Sequence, residues 1–292
     1  MPTTDTPLRY PGGKSQLAPL IVEVLRSNGL FYGEYAEPFA GGAGIAMTLL
    51  LNGYVHRIHL NDFDESIYAF WHSVLNQSEE LCTLVETVKV DMDEWHRQRE
   101  IHLTSGHDLL ARGFSTLFLN RTNRSGILKA GVIGGLKQDG NYKLDCRFNR
   151  KDLIRKIKRI AANRQRIGLS KLDAVEFIST VLPETGKNTL VNLDPPYFNK
   201  GQELYTNAYQ KDDHAVLAKA VHSIERRWIV TYDDTPEIRE LYARYPLYSS
   251  QLNYSAQVKR VGCELLILDP RLNPPPQIES LKLPVNGSLL AA

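Results

Sequence analysis

The apolar run Leu190-Val191-Asn192-Leu193 ends abruptly in Asp194-Pro195-Pro196-Tyr197. The run predicts a buried strand, and Asp194 to Tyr197 cannot extend it, because proline donates no ladder hydrogen bond. A carboxylate, a carbonyl with no N–H beside it, and an aromatic ring are therefore delivered together at the carboxyl end of a strand. Open α/β sheets bind their ligands at that edge. The feature restricts the chain to a strand–helix alternation arranged around one sheet edge.

The rest of the sequence supplies that alternation. Residues 14–28 carry Leu17, Leu20, Ile21, Val24 and Leu25 on one stripe, predicting a helix that stops at Asn28-Gly29. A strand over 34–39 runs into Ala40-Gly41-Gly42-Ala43-Gly44, followed by a helix over 45–52 and a second strand over 56–60 that ends in Asn61-Asp62. Helical patterns continue from 65 to 119. Within 120–149, which is rich in Gly, Asn and Arg, Asp139-Gly140 marks a turn, and 137–143 predicts a β-hairpin. A basic helix over 151–166 precedes the central strand. Then come a helix (212–224), a strand (228–232), a helix (236–242) and a strand (264–268). The expected organisation is an α/β domain in two pieces, 1–75 and 165–270, with 76–164 inserted as a helical and β-hairpin region. The proline-rich tail, 271–292, is expected to be disordered or laid along the surface.

The 292 residues carry a formal charge of only +2, but the charge is segregated. Between Arg112 and Arg166 fifteen Lys and Arg face three Asp, so this stretch is about +12 and the remainder about −10. Charge concentrated this way marks a polyanion partner; a solvated basic helix face is the plainer alternative. No apolar stretch approaches the ~20 residues that span a bilayer, and the first residues carry no signal core, so a cytoplasmic protein is expected. The three cysteines form neither a zinc pattern nor a disulfide framework, and the histidines lack metal-ligand spacing, so no metal is expected.

Three elements point to a small-molecule site. The glycine-rich turn at 40–44 lets backbone approach a ligand and aims a helix N-terminus at it. Asp62, about 20 residues on, suits ribose hydroxyls or a helix N-cap. Together they suggest an adenosine-containing cofactor, although the full G-x-G-x-x-G fingerprint is missing. Arg9-Tyr10-Pro11-Gly12-Gly13-Lys14-Ser15 does not have Walker A spacing. It fits a small carboxylate, such as that of a methionine moiety, or a plain capping turn. At Asp194-Pro195 two acceptors lie close together, matching an –NH2 group, while Tyr197 offers a stacking face. Drawing both amine hydrogens toward acceptors turns the nitrogen lone pair out of a conjugated ring plane, toward a methyl donor.

These motifs, in this order, resemble the Dam-like DNA adenine methylases, which are S-adenosylmethionine-dependent N6-adenine methyltransferases. The resemblance runs from about Leu8 to Pro270. It rests on residues 9–14, on Glu37-Pro38-Phe39-Ala40-Gly41-Gly42, Asn61-Asp62, Leu119-Asn120-Arg121-Thr122 and Leu172-Asp173-Ala174-Val175-Glu176-Phe177, and on Asp194–Tyr197. It implies a Rossmann-like methyltransferase sheet with an inserted target-recognition domain. Tyr10, Gly13, Lys14, Glu37, Phe39, Gly41, Gly42, Asp62, Asp173 and Asp194 would form the cofactor site. Tyr10 and Lys14 would hold the methionine part, Asp62 the ribose and Asp173 the adenine amine, and Phe39 would pack in the pocket. Asp194, Pro195, Pro196 and Tyr197 would be catalytic, acting on an adenine flipped out of double-stranded DNA. Asn120, Arg121, Asn123, Arg124, Lys137 and Lys143 are the candidate DNA contacts. Position 10 is Tyr where many members have Trp, and the 124–143 segment differs from that of GATC-reading members.

A monomer is expected, with a separate restriction endonuclease as a possible partner, since no nuclease motif is present. The alternatives are an N4-cytosine enzyme, whose motif usually begins with Ser or Asn; an RNA or protein-glutamine methylase; a catalytically silent DNA-binding module; and a nicotinamide oxidoreductase. The filled signature positions argue against the silent module, and the imperfect glycine fingerprint against the oxidoreductase.

Overall fold

A computed structural model of the protein describes residues 4–9, 17–198, 209–254 and 260–279. Its frame is a seven-stranded sheet in the order β3-β2-β1-β4-β5-β7-β6. The strands are β1 (Glu34–Glu37), β2 (Arg57–Asn61), β3 (Ile167–Ser170), β4 (Thr189–Leu193), β5 (Arg227–Asp233), β6 (Leu247–Tyr254) and β7 (Arg260–Leu268). The first five run parallel, and β7 lies antiparallel between β5 and β6. β4 sits near the middle with all five residues buried, which is why it reads as an unbroken apolar run rather than an alternating one.

Helices cover both faces. α1 (Ala18–Ser27) ends at Gly29, whose φ of +64° suits glycine. α2 (Gly44–Leu51) follows β1. α3 (Glu65–Asn76), α4 (Ser78–Thr87), α5 (Met92–Leu103) and α6 (Leu109–Thr122) form the helical run after β2, and α7 (Arg150–Ala161) leads into β3. α3, α5, α6 and α7 each start on an Asp or Asn whose side chain accepts a first-turn N–H. α8 (Ala174–Thr180) follows β3, α9 (Lys211–His222) precedes β5, α10 (Pro236–Leu241) follows it, and α11 (Pro276–Glu279) ends the described chain.

The insert is not a separate body. α6 packs tightly on α3, where a Cβ at Gly113 would lie 2.6 Å from the Ala69 carbonyl oxygen. Phe118, Leu153 and Ile157 join Tyr35, Ile58 and Leu60 in one continuous apolar core. The break drawn at 75/76 therefore falls inside α3, whose core the insert shares.

Three expectations are corrected. First, 137–143 is no hairpin: no strand forms there. The segment is a compact turn with Gln138 at φ +51°, and its side chain donates to the Ile133 and Gly135 carbonyls at 2.7 Å and accepts the Leu144 N–H at 2.9 Å. A local side-chain clamp has replaced cross-strand pairing. Second, β3 and β6 were not foreseen. β3 is a four-residue edge strand that contains a glycine, too short for a periodic signal. Third, the described part of the tail, 271–279, is docked. Ile278 and Leu272 are buried, Arg271 donates to the Ile224, Glu225 and Arg226 carbonyls, and the Asn273 N–H donates to Asn28 at 2.7 Å.

Candidate active site

The carboxyl ends of β1–β4 open on one edge of the sheet. After β1 the chain turns through Gly41 (φ +47°) and Ala43 (φ +45°), left-handed geometry that a non-glycine residue holds only when its surroundings fix it. The turn is held from three sides. Asp62 Oδ2 accepts the Gly41 N–H at 2.7 Å, the Trp71 indole donates to the Gly41 carbonyl at 2.9 Å, and the Thr6 hydroxyl donates to the Gly42 carbonyl at 2.6 Å. Asn61 locks the neighbouring ends together. Its amide donates to the Pro38 and Leu172 carbonyls at 3.0 and 2.9 Å, and its oxygen accepts the Leu172 N–H at 2.9 Å.

The capping alternative for Asp62 goes instead to Asp64, whose Oδ1 accepts the Ser66 and Ile67 N–H groups at 2.8 and 3.2 Å. Asp62 accepts the Asp64 N–H at 2.9 Å with its other oxygen. Burial, reinforced by the Asp64 charge, pushes its carboxyl up to about 7. Each oxygen keeps a second lone pair, and the residue stays partly open to solvent, so it can accept a ligand hydroxyl. Asp173, exposed at the start of α8, caps that helix through the Val175 N–H at 2.8 Å. At the same strand ends Phe39 packs edge-on against Tyr209, 5.9 Å between centroids, and both, with Leu172 and Val175, lie partly buried against one apolar core. An apolar wall flanked by two carboxylates suits an adenosine-like group: its ring takes the wall, and its amine and hydroxyls find acceptors.

Glu37 takes no place on that wall. It is buried, accepts the Tyr35 hydroxyl at 3.0 Å, and is pushed up to about 8 by burial and by the nearby Asp194 charge. Tyr10, Gly13 and Lys14 lie outside the described residues.

On the other side of the crevice Asp194 is half-buried, and its Oδ1 lies 3.2 Å from the Thr231 hydroxyl. Pro195 and Pro196 are buried. The half-buried Tyr197 ring donates its hydroxyl to Glu264, and the Phe198 N–H donates to Asp233 at 2.8 Å. Thr231, Asp233, Glu264, Asn61 and Trp71 were missed as site residues. One signal was available: Asp233-Asp234 ends a strand just as Asn61-Asp62 does.

The candidate DNA contacts divide. Asn120 is buried, accepting the Arg9 N–H at 2.7 Å and donating to the Arg9 and Gly126 carbonyls at 2.6 and 2.9 Å. Asn123 is buried, accepting from the Trp95 indole at 2.7 Å and donating to the Ile127 and Leu128 carbonyls. Both hold the loop after α6 from inside and present nothing to a duplex, which corrects their reading as DNA contacts. Arg121 donates to the Pro7 carbonyl, and burial pulls its guanidinium down to about 10. Arg124 and Lys137 are exposed, as is Lys143, whose ammonium donates to the Gln138 and Gly140 carbonyls.

A mostly parallel α/β sheet with a glycine turn and an acid on one side of a crevice, and an Asp-Pro-Pro-Tyr strand end on the other, has the form of an α/β enzyme with its candidate site at the carboxyl ends of the strands. Within that class the chain belongs to the D12 class N6 adenine-specific DNA methyltransferases, whose family model matches residues 10–256. It is an enzyme of adenine methylation, and DNA is its substrate. No curated protein sequence matches the chain significantly. Among solved structures it is similar to the rRNA methyltransferase aviRa of Streptomyces viridochromogenes, at 12% identity and a TM-score of 0.37, over 87% of this chain and 83% of that one. A protein of Legionella pneumophila str. Philadelphia 1 is similar at 11% identity and a TM-score of 0.36, over 90% and 88%. Among the described residues no helix is long and apolar enough to cross a membrane.

Proposed function

We propose that the protein transfers a methyl group from S-adenosylmethionine to the N6 amine of an adenine turned out of double-stranded DNA. The observation that carries this reading is the two-sided crevice: Phe39, Asp62 and Asp173 on one side, and Asp194 to Tyr197 on the other. The donor, when bound, supplies an electrophilic methyl group. Asp62 would accept ribose hydroxyls and Asp173 the adenine amine, while Phe39 and Leu172 would cover the ring. Asp194 and the Pro195 carbonyl would accept the two hydrogens of the target amine, holding its lone pair toward the methyl group. Asp194 is then the acceptor beside the proton that the nitrogen sheds. Tyr197 would stack on the base and offset part of its unstacking cost, a few kcal/mol. The exposed bases Arg124 and Lys137 would contact phosphates. The same reading takes a cytoplasmic monomer, with any cutting left to a separate restriction endonuclease.

Mixed-sequence duplex DNA incubated with methyl-labelled S-adenosylmethionine, then digested to nucleosides, tests this. Label is expected in N6-methyldeoxyadenosine, with Asp194→Ala reducing it at least 100-fold. No incorporation, or an Asp194→Ala protein as active as wild type, refutes it.

A further inference from the structure

The Asp-Pro-Pro-Tyr segment poses a physical problem. It leaves β4 at the point where ladder bonding stops, and its two prolines offer no N–H with which the sheet could hold it. Something else must fix the Tyr197 ring. β5 overhangs the end of β4: their last paired residues are Leu193 and Val230, and β5 continues through Thr231, Tyr232 and Asp233. β7 flanks β5 there, with Asp233 directly opposite Glu264. The side chains of this overhang reach the segment in order. Thr231 contacts Asp194, Asp233 accepts the Phe198 N–H at 2.8 Å, and Glu264 accepts the Tyr197 hydroxyl.

From this arrangement we propose that Glu264 and Asp233 are positioning residues of the reaction. They form a two-strand acidic clamp that sets the plane of the Tyr197 ring against the target base. This rests on the functional reading above, in which Tyr197 stacks on an adenine. Glu264 is only 3% exposed. A carboxylate is costly to bury unless hydrogen bonds compensate, and in mid-strand, directly before the buried apolar run Leu265 to Leu268, it contributes nothing to the core that a leucine would not. Its contact with Tyr197 gives it a task that leucine could not perform. Asp233 fixes the backbone one residue on, so ring and chain are held at two points. Stacking requires the ring to stay parallel to the base, and a misplacement of about 1 Å in such a group can cost up to 100-fold in rate.

The test uses the full-length enzyme with labelled S-adenosylmethionine and duplex DNA. It measures single-turnover methylation rates together with S-adenosylhomocysteine binding by calorimetry, in Glu264→Leu, Glu264→Gln, Tyr197→Phe and the Tyr197→Phe/Glu264→Leu pair. Glu264→Leu is expected to slow methyl transfer about tenfold or more with cofactor-product affinity unchanged. Glu264→Gln, whose amide oxygen still accepts the phenol hydrogen, should recover most of the rate. The double variant should be no slower than the slower single one, because both remove the same bond. If Glu264→Leu does not fold, Tyr197→Phe must be slowed and Glu264→Gln near wild type for the clamp to stand. An active wild type with Glu264→Leu within twofold of it, or fully additive losses in the double variant, overturns the clamp alone. An inactive wild type overturns the functional reading and the clamp with it.

Discussion

Replacing Asn120 with alanine separates a structural anchor from a DNA contact. The side chain makes three hydrogen bonds, to both backbone groups of Arg9 and to the Gly126 carbonyl, at 2.6–2.9 Å. The turn cannot easily close over the gap, because Gly126 already sits at φ +77° with the Arg9 carbonyl oxygen 2.6 Å from where its Cβ would be. Each lost bond is worth about 1 kcal/mol. Water can reach the half-buried Arg9 groups and replaces part of that, leaving a destabilisation of roughly 2–3 kcal/mol. In a protein of this size that lowers the Tm by about 3–5 °C. Thermal melting by circular dichroism measures this, and fluorescence anisotropy on duplex DNA across a salt series measures binding. Arg124→Ala is the complementary arm. Its exposed side chain should leave the Tm unchanged and reduce the salt slope of DNA binding by about 1. An Asn120→Ala protein that melts within about 1 °C of wild type yet binds DNA weakly would refute the assignment.

Two more perturbations probe buried groups. Glu37→Gln preserves the acceptor for Tyr35 while removing a carboxyl held up to about 8. The folded protein keeps that proton where the unfolded chain loses it at about 4.3. Wild-type stability should therefore fall as pH rises from about 4 to about 8 and level off above. The variant's Tm should fall less over that window, and parallel Tm–pH curves would show that Glu37 does not carry the effect. Ile278→Ala should cost about 2–4 kcal/mol in denaturant unfolding, because the side chain is fully buried in the core beside α1; an unchanged midpoint would mean that the tail is not docked.

How much the sequence revealed depended on the range over which each residue acts. β4 and its Asp-Pro-Pro-Tyr ending were legible because strand burial, proline chemistry and the carboxylate at the strand end are all local. So were Gly41 and Asp62, because a turn demands glycine and the acid ends its own strand. Asn120 and Asn123 misled because an asparagine reads the same whether its amide faces a base or a carbonyl; only the fold brings Arg9 alongside Asn120, 111 residues away in the chain. Glu264 was hidden for the same reason, its partner Tyr197 lying 67 residues earlier. The hairpin at 137–143 failed because Asp-Gly marks a turn without saying whether strands enter it, and here the Gln138 side chain closes the turn instead.

The strand order adds a division of labour. β1, β2 and β3 deliver Phe39, Asp62 and Asp173, while β4, β5 and β7 deliver Asp194, Asp233 and Glu264. β1 and β4 are neighbours, so the crevice lies where the sheet's two halves meet, the position at which open α/β sheets bind ligands. The two groups of residues thus belong to different halves, joined by the pairing of β1 with β4 at Glu34–Thr189, Tyr35–Leu190 and Ala36–Val191. At that seam Glu37 lies close enough to Asp194 for the Asp194 charge to add to burial in raising its carboxyl, with Tyr35 donating to Glu37 from the same strand. The Asp194 charge acting on Glu37 therefore links the halves electrostatically as well as through the ladder.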